Sequence, residues 1–416
     1  MNDYFRTGGE APAAGPDEVP FWDNQFDHQY NYWLRRIMDE GERRDDRTKT
    51  GTISMFGDVN MKFDLRRNFP AITGKRLAFK TMKIETIDWM LKGKTDLKTL
   101  KELGVGIWDL NVKPGTEVYE GPELTLEQRV ALLTDQQKKT FGEFQENFRK
   151  EAEKWSSTSE QGILNSLHLR LNNWGVPDRA LSDGYLGPIY GKQWRAHDDV
   201  RVIPASTLYN PDKARDLFAR GFEHTGFENQ TEIVIRRQID QIALIETALK
   251  NEVLFHQGKI EKHSAGRRII LTGWNVAQLD EMQLPPCHTL AQFYVSSNTD
   301  EHGQHFLDCK LFLRSNDIFL GMPFNVAQYA MITEMLAHTH GLRARYFHVT
   351  EGDAHIYANH VDQVRKQLAR PIIYKAPTLK IDRRIRSTSV LDIQTKDVEL
   401  IGYESYDSIK APIAGN

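Results

Sequence analysis

The stretch Leu284–Gln292, L-P-P-C-H-T-L-A-Q, is the point from which the chain is best read. Two prolines restrict the backbone just before Cys287, and the alternation of Leu290, Gln292 and Tyr294 after His288 reads as a strand. That is a rigid placement for a small reactive side chain. Taken alone, Cys287 reads as a buried packing residue, the usual role of a free cysteine. The surrounding sequence is rich in strands. Arg267–Asn275, Leu290–Ser297 and Gln304–Leu313 read as three strands, Phe324–His340 as an apolar helix, and Tyr346–Gly352 as a further strand. Helices and strands mix without regular βαβ alternation, which predicts an α+β fold rather than a doubly wound sheet.

Upstream, G-G-E-A-P-A-A-G-P between Gly8 and Pro16 is too rich in Gly, Ala and Pro to pack alone, so residues 1–20 read as a mobile arm and folding begins near Phe21. Phe26–Glu42 has helical spacing (Tyr30, Trp33, Leu34, Ile37), with Gly41 near its stop. After the polar turn D-D-R-T-K-T-G, which contains Arg47, Thr52–Leu65 alternates well enough to predict a hairpin. Leu77–Leu91 returns to helical period with apolar residues all round, so this helix is expected to be buried on several sides. Glu85 is the carboxylate it carries, and a partly exposed helix-edge position is the plain alternative. Lys113–Asp183 is long and charged, with Leu124–Trp155 helical, and reads as a solvated insertion. Ala196–Gln230 reads as irregular and Gln230–Asn251 as a helix carrying Ile233, Ile235, Ile239, Ile242, Leu244 and Ile245.

A chain of 416 residues with 40% hydrophobic residues can bury a large core. Its formal net charge of -3, from 54 basic and 57 acidic side chains, gives no bulk reason to bind nucleic acid or membrane. Any anion must be held by a local cluster of cations. Two cysteines, no long apolar run and no Cys/His metal spacing point to a reducing cytoplasm and no metal. Phosphate-binding glycine loops are absent too, so a phosphate would need arginine side chains.

Four further stretches carry unusual chemistry: L-G-P-I-Y-G-K-Q-W-R (Leu186–Arg195), G-R-R-I-I (Gly266–Ile270), R-S-N-D-I-F-L-G-M-P-F-N (Arg314–Asn325) and G-D-A-H-I-Y-A-N-H (Gly352–His360). Together with P-P-C-H and D-R-T-K-T-G-T, and in this order, they resemble thymidylate synthase and its relatives, the pyrimidine-nucleotide hydroxymethylases. The resemblance runs from Phe26 to the C-terminus, leaving out insertions at about 113–183, 196–230 and 253–263. It implies one α+β catalytic domain over residues 21–416, a large sheet at a homodimer interface, and helical insertions. No direct nucleic-acid or membrane partner is implied, and the location would be the cytoplasm, or a host cytoplasm if the chain is phage-encoded.

The same resemblance assigns roles. Cys287 would add to C6 of the pyrimidine, a step that suits a thiol because it is both a strong nucleophile and a good leaving group. Arg314 is then the nearest candidate cation to lower the thiol pKa. Phosphate would fall to Arg47, Arg314 and Ser315, with Arg267 and Arg268 from the other subunit. Asn325 would read the base, favouring dUMP over dCMP because cytosine-directed relatives carry Asp there. His355 and Tyr357 would hold the sugar hydroxyl, and Tyr190 would help remove the C5 proton. Glu85 would manage protons, although Trp89 fits the family pattern only with a one-residue shift. Trp108, Asp317, Gly321 and Leu284 would hold methylenetetrahydrofolate, the one-carbon donor.

The folate half departs from thymidylate synthase. Asn111 stands where a second tryptophan is usual, Leu313 where Gln precedes the Arg-Ser pair, and Ala78 where a folate-contacting His is common. The chain also continues to Gly415 and Asn416 after K-A-P-I-A. Phage dCMP hydroxymethylases similarly lack that tryptophan and Gln and read R-S-N-D. The expectation is therefore a phage-type dUMP hydroxymethylase that admits water to the exocyclic methylene intermediate, the kind of enzyme that serves phage DNA modification. A thymidylate synthase making dTMP by hydride transfer is the alternative. A catalytically silent nucleotide- or RNA-binding homologue is a third reading, disfavoured because such a protein has no need of the thiol.

Overall fold

The computed structural model describes residues 17–46, 49–106, 108, 124–154, 160–174, 176, 186–229, 231–261, 266–382, 384 and 389–413. Among them, β1 (Glu42–Arg44), β2 (Thr52–Phe56), β3 (Asn60–Asp64), β4 (His197–Pro204), β5 (Glu223–Phe227), β6 (Glu232–Ile239), β7 (Ile269–Thr272), β8 (His288–Thr299), β9 (His305–Asp317) and β10 (Arg343–Tyr357) build two sheets. The larger has seven strands in the order β1-β2-β10-β9-β8-β7, with β3 also paired to β10. All its pairs are antiparallel except β9 with β10.

Strand β9 shows why this is a sheet with one buried face. Leu307, Cys309, Leu311 and Leu313 are buried at every second position, while Asp308, Lys310, Phe312 and Arg314 between them are partly or fully exposed. The Gly321–Thr339 helix connects β9 to its parallel neighbour β10. It is apolar round most of its circumference and contributes Met322, Val326, Ala330, Met331 and Met335 to the main core, where the Gln25–Glu40 helix adds Phe26, Tyr30, Leu34 and Ile37. The expected α+β class, the strands around Cys287 and both of these helices are present.

Several local expectations are corrected. Thr52–Leu65 is not a hairpin: β2 and β3 do not pair with each other but lie end to end along β10, opposite Asp353–Tyr357 and Tyr346–Thr350. The break falls at Gly57, whose φ of 80° turns the chain and whose N–H donates to the Gly352 carbonyl at 2.7 Å. Gln230–Asn251 is not one helix. Ile233 and Ile235 are spaced by two and lie in β6; the helix begins at Gln241, after Asp240 caps it by accepting from the Ala243 N–H. Ala196–Gln230 is likewise not irregular, because β4 and β5 flank β6 in a three-stranded sheet with Phe222, Ile233 and Ile235 as a small core of its own. That insertion therefore combines two strands with the helix Pro211–Ala219, whereas the first carries helices Leu126–Ala131, Asp135–Lys154 and Glu160–Asn173 around Leu133, Phe141, Leu167 and Leu171. Of the expected arm at 1–20, residues 1–16 lie outside the described residues, and Val19 is tied to Ile372 by a 2.8 Å hydrogen bond.

Candidate active site

Strand register gathers the motifs at one end of the large sheet. His288 on β8 is opposite Leu313 on β9; Ser315 and Asp317 on β9 are opposite Asp353 and His355 on β10; His355 is opposite Ser54 on β2. P-P-C-H, R-S-N-D and G-D-A-H-I-Y thus sit side by side although they are distant in sequence. The fit between β9 and β10 leaves no room for a side chain at Gly352, where a Cβ would stand 2.6 Å from the Arg314 carbonyl oxygen.

Cys287 immediately precedes β8 and is clamped through its backbone. Its N–H donates to the Tyr190 hydroxyl at 3.0 Å, and its carbonyl accepts from the Arg314 N–H at 2.9 Å. The Arg314 guanidinium donates to the carbonyls of Pro286 at 2.8 Å and Pro285 at 2.6 Å, with the Trp274 ring 5.4 Å away. Arg314 therefore shapes the Pro-Pro turn as well as facing the thiol. Burial pushes the Cys287 thiol up, and Arg314, the candidate cation named from the sequence, offsets only part of that. His288 stacks on Tyr190 with ring centroids 4.4 Å apart and meets the Tyr329 hydroxyl at 3.2 Å. Burial lowers the His288 pKa to about 3 and raises Tyr190 well above the usual phenol range, so a neutral imidazole and a neutral phenol flank the thiol.

Glu85 is buried, not at a helix edge. The helix Phe79–Ile84 passes at Glu85 into a π turn, Glu85–Met90, seen in the Leu91 N–H donating to the Thr86 carbonyl at 3.0 Å. One extra residue is absorbed there, and Glu85 and Trp89 both remain buried. Trp108 Nε1 donates to Glu85 Oε1 at 2.6 Å and Gln328 Nε2 to Oε2 at 2.7 Å. Burial raises the carboxyl to about 7 against the pull of those two donors, placing it where it can give or take a proton near neutrality. Gln328 was not singled out from the sequence; its position three residues after Asn325 on one helix was the available signal.

Asn325 Nδ2 donates to Asn316 Oδ1 at 3.0 Å, and Asn316 Nδ2 to Glu351 Oε1 at 2.9 Å. His355 is buried, 5.0 Å from the Tyr357 ring and 3.8 Å from an Asp353 oxygen, and it holds the Asp353 carboxyl below its ordinary value. Asp317 Oδ1 accepts from the N–H groups of Phe319 at 2.9 Å and Leu320 at 3.0 Å, which fixes the turn into the helix that begins at Gly321. Ser315 lies on β9 beside Asp353, and Leu284 packs against the core. Arg267 and Arg268 are exposed just before edge strand β7. Arg47, Asn111, Gly415 and Asn416 lie outside the described residues. Leu313 is wholly buried.

Beside the helix that leads into Glu85 lies an open groove of about 1220 Å³. Ala78, Phe79, Ile84 and Tyr403 line it together with Arg76, Lys80 and Lys83. Apolar walls with four cations, Arg76, Lys80, Lys83 and Lys396, against the two carboxylates Glu399 and Glu404 suit an extended ligand that has an aromatic body and an anionic tail, and the size is ample for a folate. Among the described residues no His, Cys, Asp or Glu cluster could hold a metal ion, and no helix is long and apolar enough to cross a membrane.

The thymidylate synthase family model matches residues 28–415, and the chain belongs to that family. Thymidylate synthase of Staphylococcus haemolyticus (strain JCSC1435) is 35% identical over 394 residues, 94% of this chain and 99% of the relative. The thymidylate synthase of Mesoplasma florum is 34% identical over 389 residues, 93% and 99% of the two chains. Family members transfer a one-carbon unit to C5 of dUMP with methylenetetrahydrofolate as donor and are typically dimeric, and this protein is a C5 one-carbon transferase of that family.

Proposed function

We propose that the protein converts dUMP to 5-hydroxymethyl-dUMP, with Cys287 as nucleophile and Glu85 as the proton-handling group. The observation that carries the mechanism is the pairing of a thiol held by backbone clamps with a buried carboxyl raised to about 7. The Cys287 sulfur adds to C6, which makes C5 a carbon nucleophile. Methylenetetrahydrofolate supplies the one-carbon unit at the oxidation level of formaldehyde. Once C5 has taken up that unit, loss of the C5 proton with departure of tetrahydrofolate from the new carbon leaves an exocyclic methylene on the pyrimidine, and water adds to it as the Cys287 thiolate departs. Because burial raises the free thiol, Cys287 must lose its proton as the base arrives, and Arg314 is the cation that favours the thiolate. Glu85, oriented by Trp108 and Gln328, exchanges protons with the base and its water. Neutral Tyr190 holds the Cys287 N–H and assists removal of the C5 proton.

Asn325 reads O4 and N3–H of uracil, and His355 with Tyr357 holds the sugar hydroxyl. Arg47, Arg314 and Ser315 take the phosphate, with Arg267 and Arg268 from the partner of a homodimer; their exposure beside an edge strand suits a role across subunits. Trp108, Asp317, Gly321 and Leu284 hold the folate.

The hydroxymethyl product is favoured by the folate-side changes. Buried, apolar Leu313 offers no hydrogen bond where the family pattern has Gln, and Ala78 leaves open a groove wall where His is common. The second reading is dTMP formation by hydride transfer, favoured by the names of the relatives. Mass spectrometry of the product separates them: a mass increase of CH2O on dUMP is expected, and an increase of CH2 would overturn the proposal.

A further inference from the structure

A buried carboxyl that the proposed chemistry does not use stands behind the base-reading residue. Glu351 is 0% exposed on β10, opposite Leu313 of β9. Its Oε1 accepts from Asn316 Nδ2 at 2.9 Å, and Asn316 Oδ1 accepts from Asn325 Nδ2 at 3.0 Å. Oε2 is buried without a partner. Burial pushes Glu351 up to about 8, against the Asn316 N–H that Oε1 accepts. Gly321 keeps the arrangement possible: a Cβ there would stand 2.8 Å from Asn316 Oδ1 and 3.6 Å from Asn325 Nδ2.

These bonds have a direction. Glu351 presents an acceptor, so Asn316 turns its NH2 towards it and its carbonyl towards Asn325, which must answer with its own NH2. The Asn325 carbonyl is then left for a donor on the base. Uracil supplies that donor at N3–H and an acceptor at O4, whereas cytosine presents an acceptor at N3 and a donor at its amino group. An Asn325 amide turned over by half a rotation would match cytosine instead, but would set its oxygen against the Asn316 oxygen. We propose that Glu351 and Asn316 form a positioning relay that fixes the direction of the Asn325 amide and so sets the preference for a uracil over a cytosine nucleotide. The relay rests on the reading of Asn325 as the base-contacting residue. It was hidden in the sequence because it exists only through the parallel register of β9 and β10.

The test is calorimetric binding of dUMP and dCMP, without folate, to the full chain and to Glu351→Gln and Asn316→Leu. Gln keeps the shape of Glu351 but offers an NH2 as readily as an oxygen, so direction is lost; Leu breaks the relay at its middle. Wild type should prefer dUMP, and each variant should reduce the ratio of the two dissociation constants by about 3–10-fold, the span of one net hydrogen bond. The change should appear as weaker dUMP and unchanged or tighter dCMP binding, whereas general damage to the site would weaken both alike. Unchanged ratios in folded variants, checked by thermal melting, overturn the relay and leave the site reading intact. Should one variant fail to fold, the other decides. Wild type that binds neither nucleotide, or shows no preference, overturns the site reading itself.

Discussion

Replacing Glu85 by Gln separates the stability of the buried carboxyl from its chemistry. Its pKa of about 7 in the folded protein lies above the ordinary 4.5 because burial outweighs the donors Trp108 and Gln328. A raised carboxyl pKa stabilises the fold at low pH, where both folded and unfolded forms are protonated. That advantage is lost as pH climbs from the unfolded value through the folded one, because the unfolded chain releases its proton first. With about 1.4 kcal/mol per unit, wild type should lose roughly 2.5 kcal/mol from this group between about pH 5 and pH 8. Gln cannot ionise and loses none of it, but one of its two termini is an NH2 facing a donor, a pH-independent cost of about 1–3 kcal/mol. Urea unfolding at both pH values should therefore show Glu85→Gln weaker than wild type near pH 5, with the gap closing or reversing near pH 8. Turnover should fall by about 10²–10⁴-fold at either pH while dUMP binding is retained. A stability difference that does not change with pH would refute the buried, raised carboxyl; unimpaired turnover would refute its proton role.

Alkylation by iodoacetamide, followed by mass spectrometry, should label Cys287 of the ligand-free protein more slowly than a free thiol and more slowly still in Arg314→Leu, because the cation that offsets burial is gone; faster labelling in that variant would contradict the assignment. Cys309, pushed by burial to about 12, should stay unlabelled until the protein unfolds. Gly352→Ala should lower stability by about 1–3 kcal/mol in a thermal melt, since its Cβ would meet the Arg314 carbonyl at 2.6 Å; a neutral effect would mean that β9 and β10 are less tightly fitted.

What could be read in the sequence follows from how local each signal is. The period-two burial of β8 and β9 and the apolar Gly321–Thr339 helix are written in consecutive side chains, so the α+β core and the setting of Cys287 were legible. β6 reads as helix because β-branched residues run on into the next helix, and only the Asp240 cap marks the boundary. The supposed hairpin failed for a different reason: alternation defines strands but not their partners, and β2 and β3 share β10 rather than each other. At the site, Glu85 could be named but not its π turn. The contacts of Asn316 and Gln328 emerge only when their partners Glu351 and Glu85, far away in sequence, are brought against them.

The most direct test of the central claim is the product formed from dUMP and methylenetetrahydrofolate, with the folate oxidation state followed in the same reaction. The account predicts 5-hydroxymethyl-dUMP with tetrahydrofolate released, and loss of both in Cys287→Ser. Formation of dTMP with dihydrofolate would contradict it and show that hydride transfer persists despite Leu313 and Ala78.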